Sequence, residues 1–324
     1  MKKLIIILIM VMAVLSLNQI SYSNSGRKIL YIDSYHAEAA WIVGITAGIT
    51  SVLSTRKDIE LKIFHMDTKR KPSEKEKKAA GLKAKQIIEK WQPDIVIASD
   101  DNASKYLIVP YYKNTALPFV FCGVNWDASV YGFPCKNVTG MVEVSLVKEF
   151  IKHVSPFAPG GKIGFLATDT TSGRQVLAQN KKLLEIQPLN IKLVKTMQEW
   201  KAAYIALQQS ADMLIIANWT SLPGWNKTGL IDFIYKNTRI PSGTFYSDFA
   251  EYSLTSFAND PKEQGEWAAK AALEILAGRS PESIPIVTNK RAKIILNMKL
   301  AKKMGIKFPM ELINNATFLD QGRF

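Results

Sequence analysis

Four polar clusters in this sequence carry side chains able to hold a charged or hydroxylated molecule: Asp33-Ser34-Tyr35-His36, Ser99-Asp100-Asp101-Asn102, Thr168-Asp169-Thr170-Thr171-Ser172 and Asn218-Trp219. Asn125-Trp126 and Tyr246-Ser247-Asp248 have the same form, and Trp41 lies close behind the first cluster. Asp101, Asp169 and Asp248 suit an ammonium group, because a charge taken out of water needs a partner. Backbone amides at the helix starts after Asn102 and Gly173 suit a carboxylate. Trp41, Trp126, Trp219 and Trp225 suit stacking on a planar side chain or a sugar ring. An amphoteric solute with an apolar body fits this set, while the paired Asp100-Asp101 also suits a cationic or hydroxyl-rich one. Asp101 and Asn102 equally have the form of helix N-caps, and a tryptophan near a turn equally suits core packing.

Catalysis finds less support. Asp33, Ser34 and His36 sit together at one strand end, without the Gly-x-Ser-x-Gly elbow that presents a serine nucleophile. Pro159-Gly160-Gly161-Lys162 lacks the spacing of a phosphate loop and precedes a strand, not a helix. His36, His65 and His153 are too scattered for a metal site. The expectation is a binding protein, not an enzyme, with no cofactor and no metal.

Each cluster terminates a short apolar run, and those runs read as buried strands. In the first half the strands are Lys28 to Ile32, Ile59 to Met66, Asp94 to Ala98, Leu117 to Phe121 and Val138 to Val144. Helices lie between them, including Trp41 to Leu53, whose Gly44 and Gly48 permit close packing. Ser73 to Lys90 is a charged helix opened by a Ser-x-x-Glu capping box, and Ala103 to Lys113 is a crossover helix. Alternating strand and helix predicts a doubly wound parallel sheet, with ligand beyond the strands' carboxyl ends. After the break at Ser155-Pro156 and Pro159-Gly160-Gly161 the rhythm restarts. Strands Lys162 to Ala167, Ile191 to Thr196, Met213 to Ala217 and Ile240 to Phe245 alternate with helices Arg174 to Ile186, Gln198 to Ser210 and Lys227 to Asn237. Beyond Asp248, Tyr252 to Phe257 reads as a strand and Pro261 to Ala277 as a helix. Ile284 to Val287 and Ala292 to Leu296 read as paired short strands.

A chain of 324 residues that is 47% hydrophobic favours two globular domains. The formal charge of +14 comes without the aromatic-interleaved basic motifs of nucleic-acid modules, so solvated lysines such as those near Lys69, Lys75 and Lys83 account for it. Met1-Lys2-Lys3, the apolar run Leu4 to Leu17 and Ser21-Tyr22-Ser23 predict a secretory signal peptide over 1–23, and no nearby cysteine offers a lipoprotein anchor. Cys122 and Cys135 are the only cysteines, and the sequence leaves open whether they pair or stay separate thiols.

The tail, Asn297-Met298-Lys299-Leu300-Ala301-Lys302-Lys303-Met304-Gly305-Ile306-Lys307-Phe308-Pro309, is a specific pattern. With Asn137-Val138-Thr139-Gly140, Phe121-Cys122-Gly123-Val124-Asn125 and the helix Gln264-Gly265-x-x-Ala268-Ala269, it resembles bacterial extracytoplasmic solute-binding proteins of ABC transporters. The resemblance is to the type I periplasmic-binding fold, and specifically to the group that includes tryptophan-binding transport proteins. It implies an α/β protein of two doubly wound lobes, hinged around a cleft, that hands a small solute to a membrane permease. The solute it implies is an amino acid, aromatic or apolar; a sugar, nucleoside or cationic solute is the alternative, as is a sensor feeding a membrane receptor or kinase. A monomer acting in the periplasm or at the extracytoplasmic face, with no nucleic-acid partner, is expected. The lobes are expected over 27–144 plus about 249–284, and over 145–248 plus about 285–320.

Overall fold

The computed structural model describes residues 26–158, 160–184, 189–220, 222–224 and 226–319, so the expected signal peptide and Trp225 lie outside the described residues. Arg27–Asp33 (β1), Ile59–His65 (β2), Ile95–Ser99 (β3), Phe119–Asn125 (β4) and Val138–Glu143 (β5) pair in parallel in the order β2-β1-β3-β4-β5. Alternate side chains face opposite layers of helix. Ile29 and Tyr31 join one apolar cluster with Ile45 and Ile49 of Ala40–Leu53 (α1), while Leu30 and Ile32 join another with Ile88 of Glu74–Trp91 (α2). The capping box at Ser73 and Glu76 opens α2. Asp100–Ala103 (α3) runs directly into the π-helical stretch Ser104–Tyr112, which contains Pro110. Proline lacks an N–H and its ring crowds the carbonyl four residues back, and a wider turn relieves both problems.

The second lobe repeats the order. Ile163–Thr168 (β6), Leu189–Val194 (β7), Met213–Ile216 (β8), Ser242–Thr244 (β9) and Thr255–Asn259 (β10) lie as β7-β6-β8-β9-β10. Val147–Val154 (α4), Thr171–Leu184 (α5), Met197–Ser210 (α6) and Lys227–Asn237 (α7) accompany them, around one core that includes Trp200, Tyr204, Phe165 and Phe257. Pro261–Leu276 (α8) then crosses back and packs on α1. A Cβ on Gly265 would stand 2.0 Å from the Ile45 carbonyl oxygen, so glycine is what permits this approach.

Two expectations change. Ala292–Leu296 does not pair with the strand before it: it lies antiparallel to β10, whereas Val287–Thr288 lies parallel to β5 in the first sheet. The segment 249–284 is also divided, with β10 in the second sheet and α8 on the first lobe. Phe257 accounts for the first assignment, since it packs edge-on to Phe150 in the second core. The alanine face of α8, Ala268, Ala269 and Ala272, accounts for the second. Cys122 and Cys135 are free thiols: Cys122 belongs to the cluster under α1 and α8, Cys135 to that on the opposite face of the sheet. No helix among the described residues is long and apolar enough to cross a membrane.

Candidate functional site

In each sheet the first strand lies between the next two in sequence, so successive connections run to opposite sides, and the switch point at the carboxyl ends of β1 and β3, and of β6 and β8, is where such sheets place a ligand. In the first lobe a buried network fixes that edge. Ser34 Oγ donates to the Ser99 carbonyl at 2.6 Å and accepts from the Ala103 amide at 2.8 Å, satisfying an amide of the first turn of α3. Thr68 donates to the Ser34 carbonyl and accepts from Asn102 Nδ2 at 2.8 Å. Ser99 Oγ and Tyr31 Oη are 3.1 Å apart. Buried Asp33 pairs with His65, and its carboxyl is raised by burial, opposed by that His65 contact.

Above this network lies a group of acids. Asp100 is buried and takes the left-handed backbone conformation at φ +71°, a region that non-glycine residues adopt at a cost and that is common at functional sites. Its Oδ1 accepts from Trp41 Nε1 at 2.9 Å, while Oδ2 has no partner. Burial first, then the Glu143 charge, raises the Asp100 carboxyl well above the usual carboxylate range. Asp101 accepts from Asn125 Nδ2 at 2.5 Å and from Tyr131 Oη at 2.8 Å, which aims its carboxylate. Glu143 is pushed up to about 7 by burial, with the Asn259 hydrogen bond opposing and Asp101 adding to the rise. The Tyr35 phenol is raised by burial first and then by the charges of Asp100, Asp101 and Glu143. Lys69 Nζ sits 4.0 Å from the Tyr35 ring centroid.

Three crossings join the lobes, and side chains tie them together. Asn259, at the end of β10, donates to Glu143 Oε1 at 2.8 Å. Asn289 donates to Asn259 Oδ1 at 3.0 Å and accepts from the Val144 amide at 2.7 Å. Tyr246, following β9, is raised to about 12 by burial first and then by the Glu143 charge.

The structure ties Trp41 to Asp100 and Asn125 to Asp101, with Tyr35 within electrostatic reach of Asp100, Asp101 and Glu143 and Tyr246 within that of Glu143, while Ser34, Ser99 and Asn102 are held in the network beneath. His36 Nδ1 is buried without a partner, and Trp126 lies at φ +57° with its amide bonded to the Glu143 carbonyl. In the second lobe Thr168 is buried against Thr170, and Thr171 and Ser172 are exposed at the start of α5. Asp169 is paired with Arg174 and Lys195. Asn218 is exposed and closes a turn onto Thr220, and Asp248 is exposed. Trp219 is 1% exposed and lies 4.5 Å from Phe249 and 4.8 Å from Tyr252 between ring centroids, within the aromatic core. Sequence reasoning missed Glu143, Tyr131, Lys69 and Asn259. The one available signal was Glu143 itself, a lone acid in an apolar run. Among the described residues no group of three or more histidine, cysteine or acidic side chains could hold a metal.

Two lobes whose first five strands share one order, joined by crossings between them, have the type I periplasmic-binding fold. Residues 42–319 match the sequence model of the ABC transporter substrate binding protein family, and the chain belongs to that family. It is similar to the ligand-free, open structure of a substrate binding protein with adhesive properties from Clostridium difficile (17% identity, TM-score 0.72, 91% of this chain and 100% of that one). It is also similar to an ABC domain in complex with L-Trp from Streptococcus pneumonia (18% identity, TM-score 0.57, 91% and 99%). A third similar structure is a periplasmic ribose ABC transporter protein from Conexibacter woesei (15% identity, TM-score 0.53, 88% and 97%). No curated protein matches the chain.

Proposed function

We propose that this protein captures a small solute, an amino acid, between its two lobes outside the cytoplasm and delivers it to the membrane permease of an ABC transporter. The observation that carries the reading is the carboxyl group set at the hinge. Asn125 holds Asp101 in the first lobe, and Asn259 from the second lobe donates to Glu143, whose charge also reaches Tyr246. An ammonium group suits the acids, and an apolar body suits the surrounding Tyr35, Tyr131 and Trp41. The L-Trp complex of the Streptococcus pneumonia protein supports the amino-acid class.

A solute that binds only the folded protein raises its melting temperature, by a margin equivalent to about 2.7 kcal/mol at a concentration of 100 times Kd. A thermal-shift panel of amino acids, sugars, nucleosides and polyamines is therefore the direct test. An amino acid is expected to give the largest shift. A panel with no responding compound would remove the capture reading.

A further inference from the structure

We infer that Asn289 is a positioning residue for solute capture, a clasp that makes the three crossings between the lobes bend together, so that the lobes close about a single axis. The inference rests on the capture reading and deepens it. The crossings are 144–146 between β5 and α4, Asp260 between β10 and α8, and 289–291 between Val287–Thr288 and Ala292–Leu296. Asn289 lies on the third and is 3% exposed, and its side chain reaches the other two. Its Oδ1 accepts from the Val144 amide at 2.7 Å, while its Nδ2 donates to the Val144 carbonyl at 3.2 Å and to Asn259 Oδ1 at 3.0 Å. Both amide hydrogens and the oxygen are thereby engaged. Asn259 passes the link on, since its own Nδ2 donates to Glu143 Oε1 at 2.8 Å.

The backbone pairing explains what the side chain adds. Val287 and Thr288 pair with Met141 and Val142, and the ladder ends there. A primary amide offers the same donor and acceptor as a peptide group, so Asn289 carries the pairing onward to both backbone polar atoms of Val144, inside the first crossing. On the solvent side Arg291 joins Asp260 at 3.2 Å and Glu266 at 3.0 Å, and Glu263 accepts from the Arg291 amide at 2.8 Å. Those bonds run between the second and third crossings, and exposed ion pairs hold little. Two-lobed clamps close through backbone rotation at a few crossing residues. Crossings that rotate separately let the lobes twist and slide as well as close. A buried clasp on all three leaves the rotation they share, and the second lobe then arrives over the first in a fixed register.

Double electron–electron resonance on the solute-free protein tests this, with spin labels at Glu38→Cys and Gln198→Cys, exposed positions on the first and second lobes, in a Cys135→Ala background that leaves buried Cys122 as the remaining native thiol. The distribution of interlobe distances is expected to broaden in Asn289→Ala and to keep its width in Arg291→Ala. Hydrogen exchange is expected to quicken at least about fivefold in Asn289→Ala at 259–262, across the second crossing, as well as at Val144. Asn289→Asp keeps an acceptor for the Val144 amide but offers no donor to Asn259, so Val144 is expected to stay protected while the distances broaden. Circular dichroism verifies the folding of each variant, and Asn289→Asp carries the test if Asn289→Ala does not fold. Distances as narrow as the labelled parent's in a folded Asn289 variant, or exchange that quickens at Val144 and 287–291 alone, would reduce Asn289 to a local brace and overturn the inference. Arg291→Ala broadening the distances as much would move the role to the outer bonds and overturn it too. No solute enters these measurements, so their failure leaves the capture reading standing, and that reading falls on the thermal-shift panel alone.

Discussion

The Asn259 side-chain amide donates to Glu143 Oε1 at 2.8 Å, joining the last residue of β10 to the last residue of β5 across the hinge. This bond favours the charged form of Glu143, against burial and the neighbouring Asp101, which hold its carboxyl at about 7. Replacing Asn259 with Ala removes the opposing influence. The Glu143 midpoint is therefore expected to move above that of the wild type, as read from the carboxyl carbon in a 13C NMR titration. A midpoint that stays in place or falls would show that the amide does not serve this acid.

The same carboxyl links stability to pH. Its value rises from the ordinary 4.5 to about 7 on folding, so between those limits the folded chain holds more of the proton than the unfolded chain does. Stability on this account is full below pH 4.5 and falls as the pH climbs toward 7; Asp33, also raised by burial, adds a contribution of the same sign. Glu143→Gln is neutral throughout. It is expected to exceed the wild type by about 1–3 kcal/mol at pH 8 and to converge with it below pH 4.5, in urea melts across that range. A wild type that is the more stable of the two at pH 8 would contradict the assignment.

Ser34 serves the site from beneath. Its hydroxyl donates to the Ser99 carbonyl and accepts from the Ala103 amide, so Ser34→Ala strands two buried backbone groups at once. Each stranded group costs about 1–3 kcal/mol. A loss of about 2–4 kcal/mol in urea unfolding is expected, together with weaker solute binding as α3 loosens under Asp100 and Asp101. A loss under 1 kcal/mol would mean that water replaces the hydroxyl.

Strand positions and the polar clusters that close them were legible because a strand buried on both faces must be a short apolar run, and its carboxyl end must return to polar residues. What the clusters do depends on pairings that sequence does not display. Asp169 carries the form of an ammonium site, but the first turn of α5 brings Arg174 onto it. Trp219 follows a strand end, yet its ring turns inward onto Phe249 and Tyr252. Glu143 and Asn259 lie 116 residues apart, and only the return of β10 to the hinge makes them partners. The crossing of α8 between lobes was carried by the family resemblance; its helical periodicity alone says nothing of which sheet it covers.

The cysteines give a simple chemical check. Cys122 and Cys135 sit in clusters on opposite faces of the first sheet, so neither reaches the other without moving a strand. Alkylation in denaturant without reductant is expected to label both thiols. In the folded protein Cys122 is expected to react far more slowly, since it is buried and burial raises its thiol well above the usual range. Labelling that requires a reductant would place a disulfide where the fold places none.

The glycines expected to let α1 pack closely meet their partner on α8. A Cβ on Gly48 would lie 2.3 Å from the Lys262 carbonyl oxygen, and one on Gly265 would lie 2.0 Å from that of Ile45. Backbone on both sides cannot give way as a flexible side chain would, so either substitution must push the two helices apart. Overpacking of this kind costs about 1–3 kcal/mol and occasionally more, and an alanine's better helix propensity returns only about 1 kcal/mol. Gly265→Ala should therefore be destabilised in urea melts despite the gain in propensity. It should also weaken solute binding, because the Gln264 side-chain Oε1 on the same helix accepts from the Gly123 amide at 2.9 Å, and Gly123 lies beside Asp100. Gly278→Ala is the control for crowding: no atom lies within 4 Å of the added carbon there, so any loss comes from its φ of +103° alone. It should lose stability without the accompanying loss of solute affinity, and equal affinity losses in the two variants would show that the contact between α1 and α8 does not support the cleft.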